Sequence, residues 1–405
     1  MVAFVVDVSG QARAIGVAER RARLARRHRL ARVDRVDSPL EVARSIVAYH
    51  ATDPASVYLA MAARTGPAAS EAMDKALYDD RTLVRILGMR RTMFVVPTEL
   101  MPVVHQACTD SIAVTERRRT LRMISEGGVA DDAEAWLDRV QDATVRALRA
   151  RGEATTRELS DDVPELRAQI VLAPGKKYEA TATMAPRVLF QLSAQGLVVR
   201  GRPVKSWVSN YRWALTETWL PAGVPEVSVV AAELELARRW LAAFGPGTVA
   251  DLKWWTGWTL GRARRVLAAL GAVEVALDGG ETGYVLPDDA VPVSEPEPWP
   301  ALLPALDPAV MGWAMTGRGW YLGDDCRDAL YDRNGNIGPT VWWDGRVVGG
   351  WAQRADGSVV HRLLEDIGTD GEQAVARQAE DLQEWLGDVR VTPRFRTPLE
   401  RELSA

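Results

Sequence analysis

Leu83-Val84-Arg85-Ile86-Leu87-Gly88-Met89-Arg90-Arg91-Thr92-Met93-Phe94-Val95-Val96-Pro97 is the stretch where the hydrophobic period of the chain changes. Two apolar runs flank Gly88 and the basic pair Arg90-Arg91, so the segment reads as two strands around a tight turn. What precedes it is helical in spacing. Val17, Leu24 and Leu30 punctuate an arginine-rich helix. Leu40, Val42, Ala43, Ile46 and Val47 recur at helical intervals after Ser38-Pro39, with Ser38 as the expected N-cap. A further helix covers Ala55 to Arg64, and Ser70 is expected to cap a third, with Met73, Ala76 and Leu77 on one side. Helix, helix, helix, hairpin is the order of a helix-turn-helix carrying a β-wing.

That order recurs. Ala133 to Ala150 reads as a long helix ended by Gly152, with Thr156 capping a short second helix. A loop with Pro174-Gly175-Lys176-Lys177 follows, then a helix opened by Pro186, then strands Leu197–Gly201 and Ser206–Leu215. A third copy has helices at Ala231–Phe244, Val249–Trp255 and Leu260–Leu270 and a hairpin of Val273–Leu277 with Gly283–Leu286. Beyond an acidic, proline-rich connector, Pro287–Pro308, tryptophans and tyrosines alternate with the turn signals Asn334-Gly335-Asn336, Asp344-Gly345 and Asp356-Gly357. The expected architecture is α+β: three tandem winged-helix units followed by a small antiparallel β-barrel, a helix over Asp370–Leu386, a strand from Val389 and a ragged tail. The expected segments are 1–98, 99–227, 228–298 and 299–405.

With 405 residues the chain is long enough for several folding units. No apolar run reaches membrane-spanning length. Val2 to Val6 is apolar but lacks a basic flank and precedes Asp7, which suits a strand or frayed tail better than a signal peptide. The two cysteines, Cys108 and Cys326, form no metal or redox motif, and a reducing, cytoplasmic setting is expected. Net charge is −4, yet residues 1–98 carry 16 Lys/Arg against 10 Asp/Glu, while residues 228–405 carry 17 against 27. A basic third on an acidic body can orient toward a polyanion. Nine arginines fall between Arg13 and Arg35, a run that suits either phosphate contact or the solvated face of an amphipathic helix.

One polar junction stands out, Tyr49-His50-Ala51-Thr52-Asp53-Pro54. Asp53 is placed to cap the helix that Pro54 begins. A capped junction with a locally satisfied histidine is one reading; a catalytic turn is the other. The four histidines are isolated, and no metal-protease, phosphate-loop or dinucleotide signature occurs, so neither metal nor cofactor is expected.

The run Val47–Pro54 with Tyr58-Leu59 and Arg64 resembles the AlkZ/YcaQ-like winged-helix DNA glycosylases. Further similarity lies in Arg91–Pro97, Trp255-Thr256-Gly257-Trp258, Leu302–Pro308 and Asn334–Pro339. The resemblance implies double-stranded DNA as partner and a monofunctional glycosylase excising N7- or N3-alkylated purines, with unhooking of bulky or crosslinked adducts within reach of the same chemistry; a monomer is expected. Those enzymes carry Gln-x-Gln or Gln-x-Asp at the site, where this chain has His50, Thr52 and Asp53. Catalytic roles are expected for these three. The alternative is a non-catalytic winged-helix DNA-binding or regulatory protein. DNA contacts are expected from Arg64, from Arg90 and Arg91 at the first wing, and from the i, i+4, i+8 stripe Arg187, Gln191 and Gln195, which equally suits a solvated face.

Overall fold

The computed structural model describes residues 13–66, 70–172, 175–177, 179–205, 207 and 210–405. The apolar patch Val2–Val6, Pro67, Pro174 and Ser206 lie outside them.

A short strand, β1 (Ala14–Ile15), precedes α1 (Val17–Arg27). The first unit follows as α2 (Pro39–Ser45), β2 (Tyr49–His50), α3 (Pro54–Ala62), α4 (Ser70–Asp74), which continues into a π-turn over Lys75–Asp79, then β3 (Leu83–Leu87) and β4 (Met93–Pro97). β2 pairs outside β4, giving the order β2-β4-β3 with Tyr49 opposite Val95 and His50 opposite Phe94. A helical column, α5 (Met101–Val104), a π-turn and α6 (Asp110–Glu126), leads to the second unit. That unit is α7 (Ala133–Arg151), β5 (Glu153–Ala154), α8 (Thr156–Asp162), a small hairpin of β6 (Gln169–Leu172) and β7 (Ala180–Thr183), α9 (Ala185–Ala194), β8 (Val198–Pro203) and β9 (Tyr211–Leu215). Its sheet, β5-β9-β8, repeats the first plan. Thr155, not Thr156, caps α8, in a capping box with Glu158.

After α10 (Thr216–Trp219) the third unit runs α11 (Val229–Phe244), α12 (Val249–Thr256), α13 (Leu260–Ala269), β10 (Val273–Leu277) and β11 (Thr282–Val285). Here Gly247 bridges Tyr284 where the other units have a short third strand, and β1 adds to the far side, parallel to β10. Gly247 is required there, because a Cβ would sit 2.2 Å from the Trp240 ring.

The C-terminal part contains β12 (Pro300–Leu303), α14 (Pro308–Met311), α15 (Arg327–Leu330), β13 (Thr340–Trp343), β14 (Arg346–Gln353), β15 (Val359–Leu363), α16 (Gly368–Leu386) and α17 (Pro398–Leu403). The expected barrel is an open antiparallel sheet, β12-β13-β14-β15. Four strands are too few to close around a packed interior. The open edge at β12 is instead contacted by α16. The expected strand from Val389 is also absent; irregular chain runs from there to α17. One apolar core extends from Leu24 to Leu403 through the first, third and C-terminal parts and takes in Val199 and Ala214 of the second unit's sheet, whereas most of the second unit's apolar side chains, from Ile124 to Leu215, form a second core.

Candidate nucleic-acid interface and active site

The junction is built by a reversal of the chain after α2. Val47 takes φ 68° and is buried. A β-branched residue rarely adopts this left-handed conformation, which costs on the order of 1–3 kcal/mol. The reversal throws Tyr49 and His50 into the sheet. The Tyr49 hydroxyl donates to the Pro39 carbonyl (2.8 Å), pinning the turn to the start of α2. The Ala51 N–H continues the ladder to the Met93 carbonyl (2.8 Å), and the Met93 N–H donates to Thr52 Oγ1 (3.4 Å).

His50 is 5% exposed and its ring meets Phe94 edge-on at 5.0 Å. Among the described residues it makes no hydrogen bond, and its Nδ1 is sealed without a partner. Burial, and secondarily the charge of Arg90, push its pKa down to about 3, so the imidazole is neutral at physiological pH. His28, the other deeply buried histidine, differs: its Nε2 lies 3.2 Å from the Ala243 carbonyl.

Asp53 caps α3 as the sequence suggests. Its Oδ1 accepts from the Ala55 N–H (3.3 Å). Its Oδ2 accepts from the Arg394 N–H (3.0 Å), a contact from the segment read as a ragged tail. Burial raises its pKa, opposed by these two amide bonds. The Arg394 guanidinium also donates to the Thr52 carbonyl (3.3 Å). His50 and Asp53 do not hydrogen-bond each other.

Two arginine groups gather here. Beside Thr52 and Asp53 stand Arg85 and Arg394, and Arg200 lies close to both of these arginines. Arg85, 1% exposed, donates to the Ala51 carbonyl (3.3 Å) and lies 4.7 Å from the Tyr211 ring. Arg200 approaches Tyr211 and Trp213, and burial with the charges of Arg85 and Arg394 lowers its pKa to about 10. Beside His50 stands Arg90, whose guanidinium stacks 3.8 Å over Trp254 of α12; burial, then Arg318, lowers its pKa to about 10. The neighbouring Arg91 pairs with the buried Glu116 of α6 (2.9 Å) and lies over Phe190. Arg119 also reaches Glu116 (3.9 Å), and Arg187 is close enough that Arg119 and Arg91 depress its pKa after burial.

Several expected DNA contacts are placed elsewhere. Arg64 is fully buried and forms a two-pronged ion pair with Asp307 (2.6 and 2.9 Å), so it cannot reach a phosphate. Gln191 is 1% exposed and donates to the Ala113 carbonyl of α6, and Gln195 accepts from Gln141 of α7. Two members of the α9 stripe, Gln191 and Gln195, are therefore engaged within the protein, whereas Arg187 stays half-buried beside Glu116. The first hairpin's turn is not a free wing tip, since Arg90 is held on the third unit. Much of the N-terminal arginine run is also engaged internally: Arg23 and Arg27 pair with Asp289, Arg13 with Glu19, and Arg21 donates to the Trp320 carbonyl. Sequence reasoning missed Arg85, Arg119, Arg200 and Arg394. Arg85 had a visible signal, a lone charge inside the apolar run Leu83–Leu87; Arg394 had none.

The fold and site together define a mixed α+β protein with a buried polar turn between arginine groups. A family model described as DNA glycosylase AlkZ-like matches residues 43–385, and the chain belongs to that AlkZ-like DNA glycosylase family. Among solved structures it is similar to the Streptomyces sahachiroi DNA glycosylase AlkZ, with a TM-score of 0.72 and 19% sequence identity over 93% of this chain and 98% of that one. At that identity the likeness speaks for the fold. No curated protein matches the sequence. No helix of the described residues is long and apolar enough to cross a membrane.

Proposed function

We propose that this protein is a monofunctional DNA glycosylase that binds duplex DNA and excises N7- or N3-alkylated purines. The observation that carries the reading is His50, a buried and neutral imidazole whose polar capacity the fold does not use. Buried polar groups are normally hydrogen-bonded, and those that are not call for an explanation in function. A cationic purine leaves without a general acid. The C1′–N bond breaks with its electron pair going to the purine, neutralising the ring. Water then adds to the oxocarbenium carbon and releases a proton to solvent. A neutral hydrogen-bonding group beside that sugar orients water without repelling the developing cation, as the glutamine of similar enzymes would. With its low basicity, His50 orients the water and does not carry the proton away. Thr52 supplies a second polar contact, and Asp53 contributes a fixed negative charge. Helix–strand–helix–helix–hairpin order, seen in the first unit and repeated in the second with the β6–β7 hairpin inserted between α8 and α9, supports reading the units as winged helices that hold DNA by backbone and shape.

A second reading, a non-catalytic DNA binder, is favoured by one observation: both Asp53 oxygens already accept backbone amides. Duplex containing 7-methylguanine, incubated with the protein and then treated with mild alkali, separates the two. Strand breaks at the lesion are expected. Intact strands across a panel of alkylated purines would leave the binder.

A further inference from the structure

We infer that Arg200 and Arg394, backed by the buried Arg85, form a binding site for a backbone phosphate of the strand that carries the excised base. This rests on the glycosylase reading and adds to it the group that fixes the strand in register beside Thr52. Three elements distant in sequence build the site. β3 packs along β8, which sets Arg85 and Arg200 against the same phenol ring, that of Tyr211, at 4.7 and 5.7 Å. The segment before α17 then brings Arg394 onto the Thr52 carbonyl.

Like charges are not gathered without compensation, and here the protein supplies little. None of the three arginines forms an ion pair among the described residues, although Arg23, Arg27 and Arg64 elsewhere all do. The carboxylate within range, Asp53, spends its oxygens on the amides of Ala55 and Arg394. Arg85 leaves Nε and Nη2 without a carbonyl or carboxylate, with the phenol of Tyr78 close by, and Arg200 leaves Nε without a partner. Arg394 is exposed and Arg200 half-buried, so both are open to a ligand, while Arg85 is the fixed positive wall behind them. Guanidinium groups match the two-oxygen geometry of a phosphodiester, and such contacts position a strand without reading its sequence. An anion seated here would lie next to the His50–Asp53 turn, where the sugar of an extruded nucleotide must be held.

The test compares duplex with a tetrahydrofuran abasic analogue and the same duplex undamaged, titrated over a salt series. The proteins are the wild type, Arg200→Gln, Arg394→Gln and, as a control, the exposed Arg333→Gln. Arg200→Gln and Arg394→Gln should each weaken binding on the order of tenfold and reduce the slope of log K against log salt by about 1. The control should change neither. Arg200→Lys, which keeps the charge and loses the fork, should fall between. If Arg200→Gln fails to fold, the surface change Arg394→Gln carries the test. Wild-type affinity and slope in Arg394→Gln overturn the phosphate site while leaving the glycosylase reading intact. A wild type that binds neither duplex overturns both.

Discussion

His50 has exchanged hydration for a place against Phe94 with no hydrogen bond in return, and this has a thermodynamic consequence. Its pKa is about 3 when folded against an ordinary value of 6.5, so unfolding lets it take up a proton. The folded state is therefore favoured in full above about pH 6.5, and this contribution is lost as pH falls toward 3. His28, also lowered by burial, acts in the same direction. The urea midpoint of His50→Gln should vary less between neutral and mildly acid pH than that of the wild type. The same variant should retain excision, because a glutamine amide is neutral and both donates and accepts. His50→Ala should lose about 10²-fold or more. Equal loss in both variants would mean that the imidazole itself is needed. For Asp53, Asn is not a neutral exchange. A carboxylate accepts from Ala55 and Arg394 together, whereas an amide has one oxygen and would turn its NH₂ toward the second N–H. Asp53→Asn should cost about 1–3 kcal/mol in denaturant melts. A variant as stable as the wild type would show that the Arg394 contact contributes nothing. The cap was legible from Asp53-Pro54; the contact from Arg394 was not, because 341 residues separate the partners and no periodicity links them.

At the scale of elements, the β3–β4 hairpin does more than its sequence suggests. The apolar runs around Gly88 gave both strands, since alternation within a buried sheet is a local property. The turn is a different matter. Arg90 and Arg91 both adopt left-handed φ, 53° and 61°, where glycine would be expected. Tertiary contacts hold them: Trp254 takes Arg90 and Glu116 takes Arg91. Neither partner could be read from a turn motif. Glu116 therefore organises Arg91, Arg119 and Arg187 from below. Glu116→Gln removes the charge that holds them together and that would oppose a phosphate bound there. The variant should be less stable by about 1–3 kcal/mol and should bind duplex about threefold more tightly at low salt. Weaker binding would mean that the carboxylate matters for aiming Arg91 more than for its charge. The helices Ala133–Arg151 and Val229–Phe244 were legible because their stops, Gly152 and Gly245-Pro246-Gly247, are local. The open C-terminal sheet, expected as a barrel, was not, because closure depends on strand number and pairing, and turn residues report neither.

At the scale of the molecule, the charge asymmetry in the sequence is real but means something different once the chain is folded. The basic N-terminal run and the acidic connector meet each other. Arg23, 1% exposed, donates to Glu19, to Asp289 and to the carbonyls of Asp289 and Val291, and Arg27 pairs with the same Asp289. Arg26 reaches Ser294 and Asp34. This stitching ties α1 to the connector after the third unit, and the shared core continues it from Leu24 to Leu403. Composition showed the excess of positive charge, but only the fold shows which part of it faces outward. On the proposed reading, DNA is then held by the arginines of α6, the β3–β4 hairpin, β8 and the segment before α17. Two substitutions separate structural from binding arginines. Arg23→Ala leaves Asp289 and two carbonyls short of a buried donor, so it should lower stability by several kcal/mol while the folded fraction keeps wild-type affinity and salt slope. Arg119→Gln, on the half-exposed group around Glu116, should leave the melting temperature nearly unchanged and reduce the salt slope by about 1. Melting curves and salt-dependent anisotropy on the two proteins decide it. A reduced slope in folded Arg23→Ala with none in Arg119→Gln would return the DNA contacts to the N-terminal run.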